Sequence, residues 1–534
     1  MARRGGSWRH GVVLWAGMLA VLTVITVIAL ALRGGDGLQT AGNVAQIASA
    51  VLAIPTLAVP LWLWSRRSTA PTAVTTHGVA KAKDVLAGMV DQQWRTEAML
   101  RSLDDPDPIP VRWRITHREV MDHPANLTPA SLLLTASSGD VTTLAGEFRA
   151  MRRRRLVILG GPGTGKTTLA VQLIRELLAT RVDQQDEPIP VLVSVTGWDT
   201  HVFPRLHDWL VTRLAQDYPA LRATDLGSAA PTVLVARGQI LPVLDGLDEL
   251  PPPAQAAVII ALNRSLSDID QLIVTSRTTD YGRAVEAAGD VLRSAVVLEP
   301  ESLDPAAAAR YLHRCLPPRP GPVWEQILTH LRTVPAPPEG SAAVLADIAA
   351  SALGLWLLRT VYITPTADPA ALLAPGRFPD AAALRAHLFD QLITALIDTR
   401  PPSEEPTDLF RPHRRHDPAQ MRRWLGYLAH HLTHLPAGDG TIGTRDFTWW
   451  HLAHTTRTLT GATRLAIAVT IALMIGLFGG VATALSDGLA DGLGPGSAYG
   501  LGLGLTAGLV VGLAARSWSR EPPGFTDLRV RGRG

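Results

Sequence analysis

The chain has one cysteine, Cys315, among its 534 residues. One thiol cannot build a disulfide framework or a cysteine-rich metal site, and its isolation fits a reducing compartment. Net charge is also low: the formal value is +3, and no long basic stripe carries interleaved aromatic residues. We therefore do not expect nucleic acid as a partner. A chain of this length accommodates about two to four domains.

Charged residues are missing from four long apolar runs, and the mean hydropathy of the chain is above zero. Each run has about the 20 residues needed to cross a hydrocarbon core of about 30 Å. The first two runs predict one transmembrane hairpin and the last two predict a second. The predicted spans are residues 12–32, 44–64, 465–486 and 496–515.

Basic residues flank these hairpins on their outer sides, whereas the connectors between spans have few. By the positive-inside rule, both termini and the middle of the chain are then cytoplasmic, in a multi-pass plasma-membrane protein. The alternative is a cleaved signal peptide, because residues 29–31 (Ala-Leu-Ala) resemble a cleavage site. The flanking residues are Arg3, Arg4, Arg9, Arg66, Arg67, Arg464, Arg516 and Arg520.

A phosphate-binding motif lies in residues 155–170, RLVILGGPGTGKTTLA. It satisfies the GxxxxGK[ST] template of a P-loop. The apolar run before it predicts a buried parallel strand, and residues 168–179 have helical spacing. Lys166 is expected at the β- and γ-phosphates, and the Thr167 hydroxyl at Mg²⁺. The predicted nucleotide-binding residues are Gly160, Gly161, Pro162, Gly163, Thr164, Gly165, Lys166, Thr167 and Thr168.

Acidic residues end a second apolar stretch, residues 239–250, QILPVLDGLDEL. We expect Asp245 to end the strand beside the P-loop strand and to hold Mg²⁺ opposite Thr167. Asp248 and Glu249 are predicted catalytic acids that orient or deprotonate the attacking water.

Arg277 closes a third stretch, residues 271–277, QLIVTSR. Its planar, permanently charged guanidinium is suited to sensing the γ-phosphate from the same crevice. The alternative is a surface arginine paired with Glu301 or Asp280.

Strand and helix signals alternate from residue 155 onward, which predicts a parallel sheet with helices on both faces. The fold class is therefore an α/β P-loop NTPase. Further strands are predicted at 111–115, 189–195 and 295–298, and helices at 79–103 and 203–218.

The motifs GGPGTGKTTLA, LPVLDGLDEL and LIVTSR together resemble the NACHT family of STAND-class P-loop NTPases, over residues 155–316. The resemblance, to a bacterial and membrane-anchored member, implies ATP rather than GTP as cofactor, with Mg²⁺. It also implies a small helical domain, at 302–317 and 341–362, and a winged-helix-like region, at 387–398 and 421–434. No histidine is assigned the phosphate contact that many relatives have.

We expect five regions: an N-terminal hairpin, a helical linker, the NTPase domain, the helical and winged-helix-like domains, and a glycine-rich C-terminal hairpin. The expected function is an ATP-dependent signalling switch in defence. The expected partners are nucleotide, the lipid bilayer, further copies of the chain and an unidentified signalling protein. The alternatives are a non-hydrolysing scaffold or an AAA+-like nucleic-acid or transport ATPase, although no LSGGQ-like loop is present. The regions are residues 1–68, 69–150, 151–300, 301–445 and 446–534.

Overall fold

The structure is a computed structural model that describes residues 76–433 and a few single positions between 462 and 474. Gaps in this description fall at residues 102, 104–107, 128–134, 182–185, 224–225, 227–228, 334–339 and 404–411. The described residues belong to two compact units. One contains residues 76–85 and 214–234, and the other contains residues 86–213 and those from 235 onward.

A seven-stranded mixed sheet forms the centre of the larger unit, in the order β2-β1-β7-β3-β6-β5-β4. Strands β7, β3, β6, β5 and β4 are parallel, whereas β1 pairs antiparallel with both β7 and β2. The predicted parallel sheet is thus confirmed as the five-stranded core of a mixed sheet. The strands are β1 (Arg112–Ile115), β2 (Thr135–Ser137), β3 (Arg155–Leu159), β4 (Ile189–Ser194), β5 (Ile240–Asp245), β6 (Leu272–Ser276) and β7 (Val296–Pro300).

Helices connect the parallel strands. In the strand order given above, the chain moves from β3 toward the β4 edge, but from β5 to β6 and from β6 to β7 it moves the opposite way. Because such crossovers are right-handed, the helix after β3 lies on the opposite face of the sheet from the helices after β5 and β6. This agrees with the packing of α2 on α3 and of α6 on α7. The helices up to this point are α1 (Thr76–Arg101), α2 (Val141–Ala150), α3 (Lys166–Ala179), α4 (Leu206–Asp217), α5 (Ala230–Ala236), α6 (Pro252–Ser265) and α7 (Thr278–Ala288).

One expectation about strand order is wrong. We predicted that Asp245 ends the strand beside the P-loop strand, but β6 lies between β3 and β5. Periodicity identifies a buried strand without giving its neighbours.

Pro242 limits the pairing of β5 on one side. Strand β5 pairs with β4 over its whole length, but with β6 only at Val243 and Leu244. Proline lacks the N–H that a ladder requires.

Beyond β7, the described residues up to 433 form helices joined by turns and loops, and they contain no strand. Helices lie in both segments assigned to the small helical domain, 302–317 and 341–362. That domain and the winged-helix-like region stay predictions, and the described residues of the latter contain no strand. The helices are α8 (Pro305–Cys315), α9 (Pro322–Arg332), α10 (Gly340–Ala349), α11 (Ala352–Leu358), α12 (Ala381–Thr399) and α13 (Pro418–Thr433), and a π-helical turn, Arg359–Ile363, follows α11.

Among the described residues, no single helix combines the length and apolar composition needed to cross a membrane; α10 and the helical segment 352–363 do so only jointly, across a 112° bend. The four predicted spans lie outside the described residues, apart from single positions in the third.

Candidate functional site

The P-loop connects a fully buried strand to an amphipathic helix. All five residues of β3 are buried, so the loop leaves the sheet at a fixed point. Helix α3 begins at Lys166 directly after Gly165, whose φ of +96° is left-handed. Only glycine adopts such angles at little cost, which explains the local sequence. The positive end of the α3 dipole and its unpaired N–H groups therefore face the loop, an arrangement that favours anions.

Lys166 folds back over the loop. Its ammonium donates hydrogen bonds to the carbonyl oxygens of Gly160 (2.9 Å) and Gly161 (3.0 Å). Thr164 also donates its hydroxyl to the Gly161 carbonyl, at 3.0 Å. Burial lowers the pKa of Lys166, whereas nearby Asp248 acts to raise it. The lysine thus provides a partly desolvated cation at the mouth of the loop.

The Thr167 hydroxyl donates to the Asp245 carboxylate, at 3.0 Å from Oδ1 and 3.2 Å from Oδ2. Thr275, the fourth residue of β6, lies between the two because its strand intervenes. Its hydroxyl donates to Asp245 Oδ1 and accepts the Gly246 N–H at 3.0 Å. The side chain of Thr275 is 1% exposed. Asp245 is therefore fixed from both sides, which compensates for the separation of its strand from β3.

Asp248 and Glu249 lie in a short 3-10 turn, Leu247–Glu249, entered through the left-handed Gly246. Asp248 is bound by Arg277: Oδ2 lies 2.9 Å from the arginine Nε, and Oδ1 accepts a hydrogen bond from the backbone N–H of Arg277 at 3.2 Å. The Asp248 side chain is 8% exposed. As the alternative to a phosphate sensor, we expected a surface Arg277 paired with Glu301 or Asp280. In the structure, Arg277 pairs instead with Asp248, the predicted catalytic acid.

Most predicted site residues meet at one place. The charges of Asp245, Asp248, Glu249 and Arg277 all act on Lys166, so the five side chains form one cluster at the carboxyl ends of the parallel strands. Pro162 is exposed at the tip of the loop. Among the described residues, no group of three His, Cys, Asp or Glu side chains could hold a metal without a nucleotide.

The helical region contributes residues that sequence patterns did not indicate. The Leu353 N–H, at the start of α11, donates to the Gly163 carbonyl at 2.9 Å. Gly163 has φ +74°, and a Cβ there would lie 2.6 Å from the Leu353 Cβ. Ser351 caps α11 by accepting the Gly354 N–H. No sequence signal marks this contact, although the serine before an apolar run is a cap signal in hindsight.

A cavity of about 370 Å³ continues from the P-loop. This volume lies within the range of about 300–1,000 Å³ usual for small-molecule sites. Its wall includes Thr168, Val111, Trp356 and Tyr311. Arg359 donates to the Tyr311 hydroxyl at 3.3 Å, and burial raises the pKa of Tyr311 to about 12. The phosphate-binding loop thus opens onto a largely apolar chamber.

This geometry is that of a P-loop fold whose Thr167 is paired with a strand-end Asp245, and comparison with known families agrees. Residues 154–318 match the NACHT domain family. The matched segment begins before β3 and ends beyond α8, so it contains all the site residues predicted above. It covers less than half of the chain. The match implies a nucleoside triphosphatase of the STAND type, which binds nucleotide with Mg²⁺. No curated protein matches the chain.

Proposed function

We propose that the NACHT domain binds ATP with Mg²⁺, hydrolyses it, and acts as a signalling switch. The observation that carries the proposal is the contact between Thr167 and Asp245, which brings a P-loop hydroxyl and a strand-end carboxylate within 3.0 Å. In a chain with an incidental glycine turn, nothing would bring these two groups together. The lysine beside them supplies the positive charge that phosphates require.

The residues present fit a magnesium nucleotide. Mg²⁺ prefers oxygen ligands, and the hydroxyl of Thr167 and the carboxylate of Asp245 supply them side by side. These two residues would hold the ion, and the ion would neutralise charge on the phosphoryl oxygens. Lys166 would hold the β- and γ-phosphates. The loop N–H groups from Gly160 to Thr168 would cradle the remaining oxygens.

Hydrolysis requires a group that positions or deprotonates water. Asp248 and Glu249 are the proposed groups, because both follow the cation-binding acid and both act on Lys166. Arg277 contacts both oxygens of Asp248, one through its guanidinium and one through its backbone N–H, so the arginine orients this carboxylate. We propose that Arg277 exchanges this contact for the γ-phosphate in the active state, which would free the acid.

The switch is supported by the bond from Leu353 to the loop. A P-loop carbonyl accepts directly from the first turn of α11, so a change in loop shape would break or move this contact with the helical region. A device of this kind needs two arrangements of a packed element with different contacts to the ligand. The Gly163–Leu353 contact is the element we propose for this role.

The test is phosphate release by the full-length protein, with Lys166→Ala and Asp248→Ala variants. We expect Lys166→Ala to lose binding and hydrolysis together, by at least about 100-fold in turnover. Asp248→Ala should still bind ATP while hydrolysis falls by about 100-fold or more. Wild-type turnover that is unchanged in both variants would refute the proposed roles.

A non-hydrolysing, nucleotide-gated scaffold is the second candidate, and the ion pair between Asp248 and Arg277 favours it. An acid that never leaves the arginine cannot activate water. The two candidates separate in one experiment, since a scaffold would bind ATP with Mg²⁺ and release no phosphate above the Asp248→Ala background.

We also propose that the protein is anchored in the plasma membrane through the hairpins at 12–64 and 465–515, with the NACHT domain in the cytoplasm. The support is the sequence alone: four charge-free apolar runs with arginine on their outer flanks. Extraction of membranes at alkaline pH tests this, because only an integral protein stays in the pellet. Size measurement with and without ATP tests the proposed assembly into homo-oligomers, and capture of a binding protein only with ATP would test for a signalling partner.

A further inference from the structure

The cavity beside the P-loop contains a buried carboxamide whose oxygen meets no hydrogen-bond donor among the described residues. Gln172 lies on α3, in the second turn after Lys166, and lines the cavity together with Thr168 and Trp356. It is 5% exposed. Its carboxamide oxygen, Oε1, has no hydrogen-bond partner in the part of the chain that the structure describes.

The surroundings of Gln172 on α3 favour an apolar side chain. The neighbouring residues of α3, from Leu169 to Ile174, are otherwise apolar and all buried. Burying a carboxamide among them costs free energy unless its oxygen and nitrogen find partners. Buried polar groups in proteins are nearly always paired, so an orphan requires an explanation.

Gln255 gives the contrast within the same domain. It is also buried, at 3% exposed, and its Nε2 donates to the Leu250 carbonyl at 2.7 Å. That glutamine has a structural role on α6, where it joins a helix to the preceding turn. Gln172 has no such bond, and it lies on a cavity continuous with the phosphate-binding loop. A missing partner at this place indicates a ligand group.

We infer that Gln172 reads the edge of the nucleobase and favours adenine, an inference that rests on the proposed binding of a nucleoside triphosphate. The unpaired Oε1 needs a donor, and the 6-amino group of adenine is one. The amide nitrogen of the same side chain can donate to the ring nitrogen next to that amine, a pairing that Gln makes with adenine elsewhere. Guanine and hypoxanthine carry an oxygen at position 6, so in the observed orientation of the amide Oε1 would face another acceptor.

Competition binding tests the inference with full-length protein, Mg²⁺ and three probes: ATP, GTP and ITP. The wild type should prefer ATP over both GTP and ITP by about tenfold or more, since one buried hydrogen bond decides the difference. Gln172→Met, which keeps the length of the side chain without its polar atoms, should reduce that preference to about one. Gln172→Glu, an acceptor without a donor, should shift the preference toward GTP, whose N1–H and 2-amino groups are donors.

The matched control is Gln326→Met, the same change at an exposed position on α9 outside the cavity. It should leave the preference for ATP unchanged. The melting temperature without nucleotide provides a second reading for Gln172→Met: removing an unsatisfied group should not lower it. A merely structural glutamine would instead lower the melting temperature and leave the ATP to GTP ratio intact.

The failures are distinguishable. If the wild type binds ATP but Gln172→Met and Gln172→Glu keep its preference over GTP and ITP, the role of Gln172 is refuted while the proposed function stands. If the folded wild type binds none of the three triphosphates, the proposed function fails and this inference fails with it.

Discussion

Thr275 offers the sharpest test of the architecture, because its hydroxyl connects Asp245, the proposed cation ligand, to the sheet. Replacing it by valine keeps the branched shape and removes only the hydroxyl. Asp245 then loses one donor, and the Gly246 N–H loses its acceptor. Replacing it by serine keeps the hydroxyl and removes one buried methyl group.

The two changes differ in expected cost. An orphaned buried donor costs about 1–3 kcal/mol, and the bond to a carboxylate contributes on a similar scale, so valine should destabilise the domain by about 3 kcal/mol. For a domain of about 150–250 residues this corresponds to a melting temperature lower by about 6–12 °C. Serine loses about 0.8 kcal/mol for the methyl group, or about 2–3 °C.

Thermal unfolding of the full-length protein, without nucleotide, measures both values. A titration of Mg²⁺ in the hydrolysis assay gives an independent reading: Thr275→Val should need several-fold more Mg²⁺ for half-maximal rate, and Thr275→Ser should resemble the wild type. Equal losses of stability and equal Mg²⁺ requirements in the two variants would show that the hydroxyl does not position Asp245.

Two further predictions concern the loop and the far end of the sheet. Gly163→Ala should reduce ATP binding at least about tenfold, because φ +74° is strained for alanine and the added Cβ meets the Leu353 Cβ at 2.6 Å. In the Gly163→Ala background, a second change of Leu353→Ala keeps the clashing Cβ, whereas Leu353→Gly removes it. In ATP titrations, rescue of binding by alanine but not by glycine would contradict the geometry. His207 Nε2 lies 3.2 Å from Asp270, whose hydrogen bond raises the pKa of His207 above its usual 6.5. Burial acts to raise the pKa of Asp270, but hydrogen bonds from His207 and Ser267 lower it to about 2. The contribution of His207 to folding stability is therefore complete below pH 6.5 and is lost as pH rises through its raised pKa. The contribution of Asp270 to stability is lost as pH falls from 3.8 toward 2. Melting temperatures of His207→Gln should lack the decline above pH 6.5 that the wild type shows, and an unchanged decline would assign it to another group.

Much of the core was predictable because its elements carry local signals. The run before Gly160 is apolar and β-rich, so its strand at Arg155–Leu159 follows from pattern alone. The later strands lie within one or two residues of the runs that predicted them, apart from the acidic end of 239–250, where a 3-10 turn begins after Asp245. The phosphate motif also fixes its own chemistry, since glycine, lysine and threonine occupy set positions.

The remainder depends on pairing across long distances in sequence, which periodicity does not encode. The order of β3, β6 and β5 is one example, and the hydroxyl of Thr275 has its role only because β6 is central. The bond between Asp248 and Arg277 joins two residues that we had assigned separate tasks. In the sequence, Gln172 is one polar residue in a segment with helical spacing, and only its buried surroundings in the structure distinguish it.

The position of Lys166 has a consequence for how affinity is interpreted. Its ammonium already has two carbonyl partners, so any anion that recruits it must first displace them. The measured binding constant therefore reports a competition between backbone oxygens and incoming oxygens for one cation. Truncating the lysine removes its bonds to the carbonyl oxygens as well as its bonds to the anion. The measured loss of affinity will therefore be smaller than the strength of the direct contact between lysine and anion.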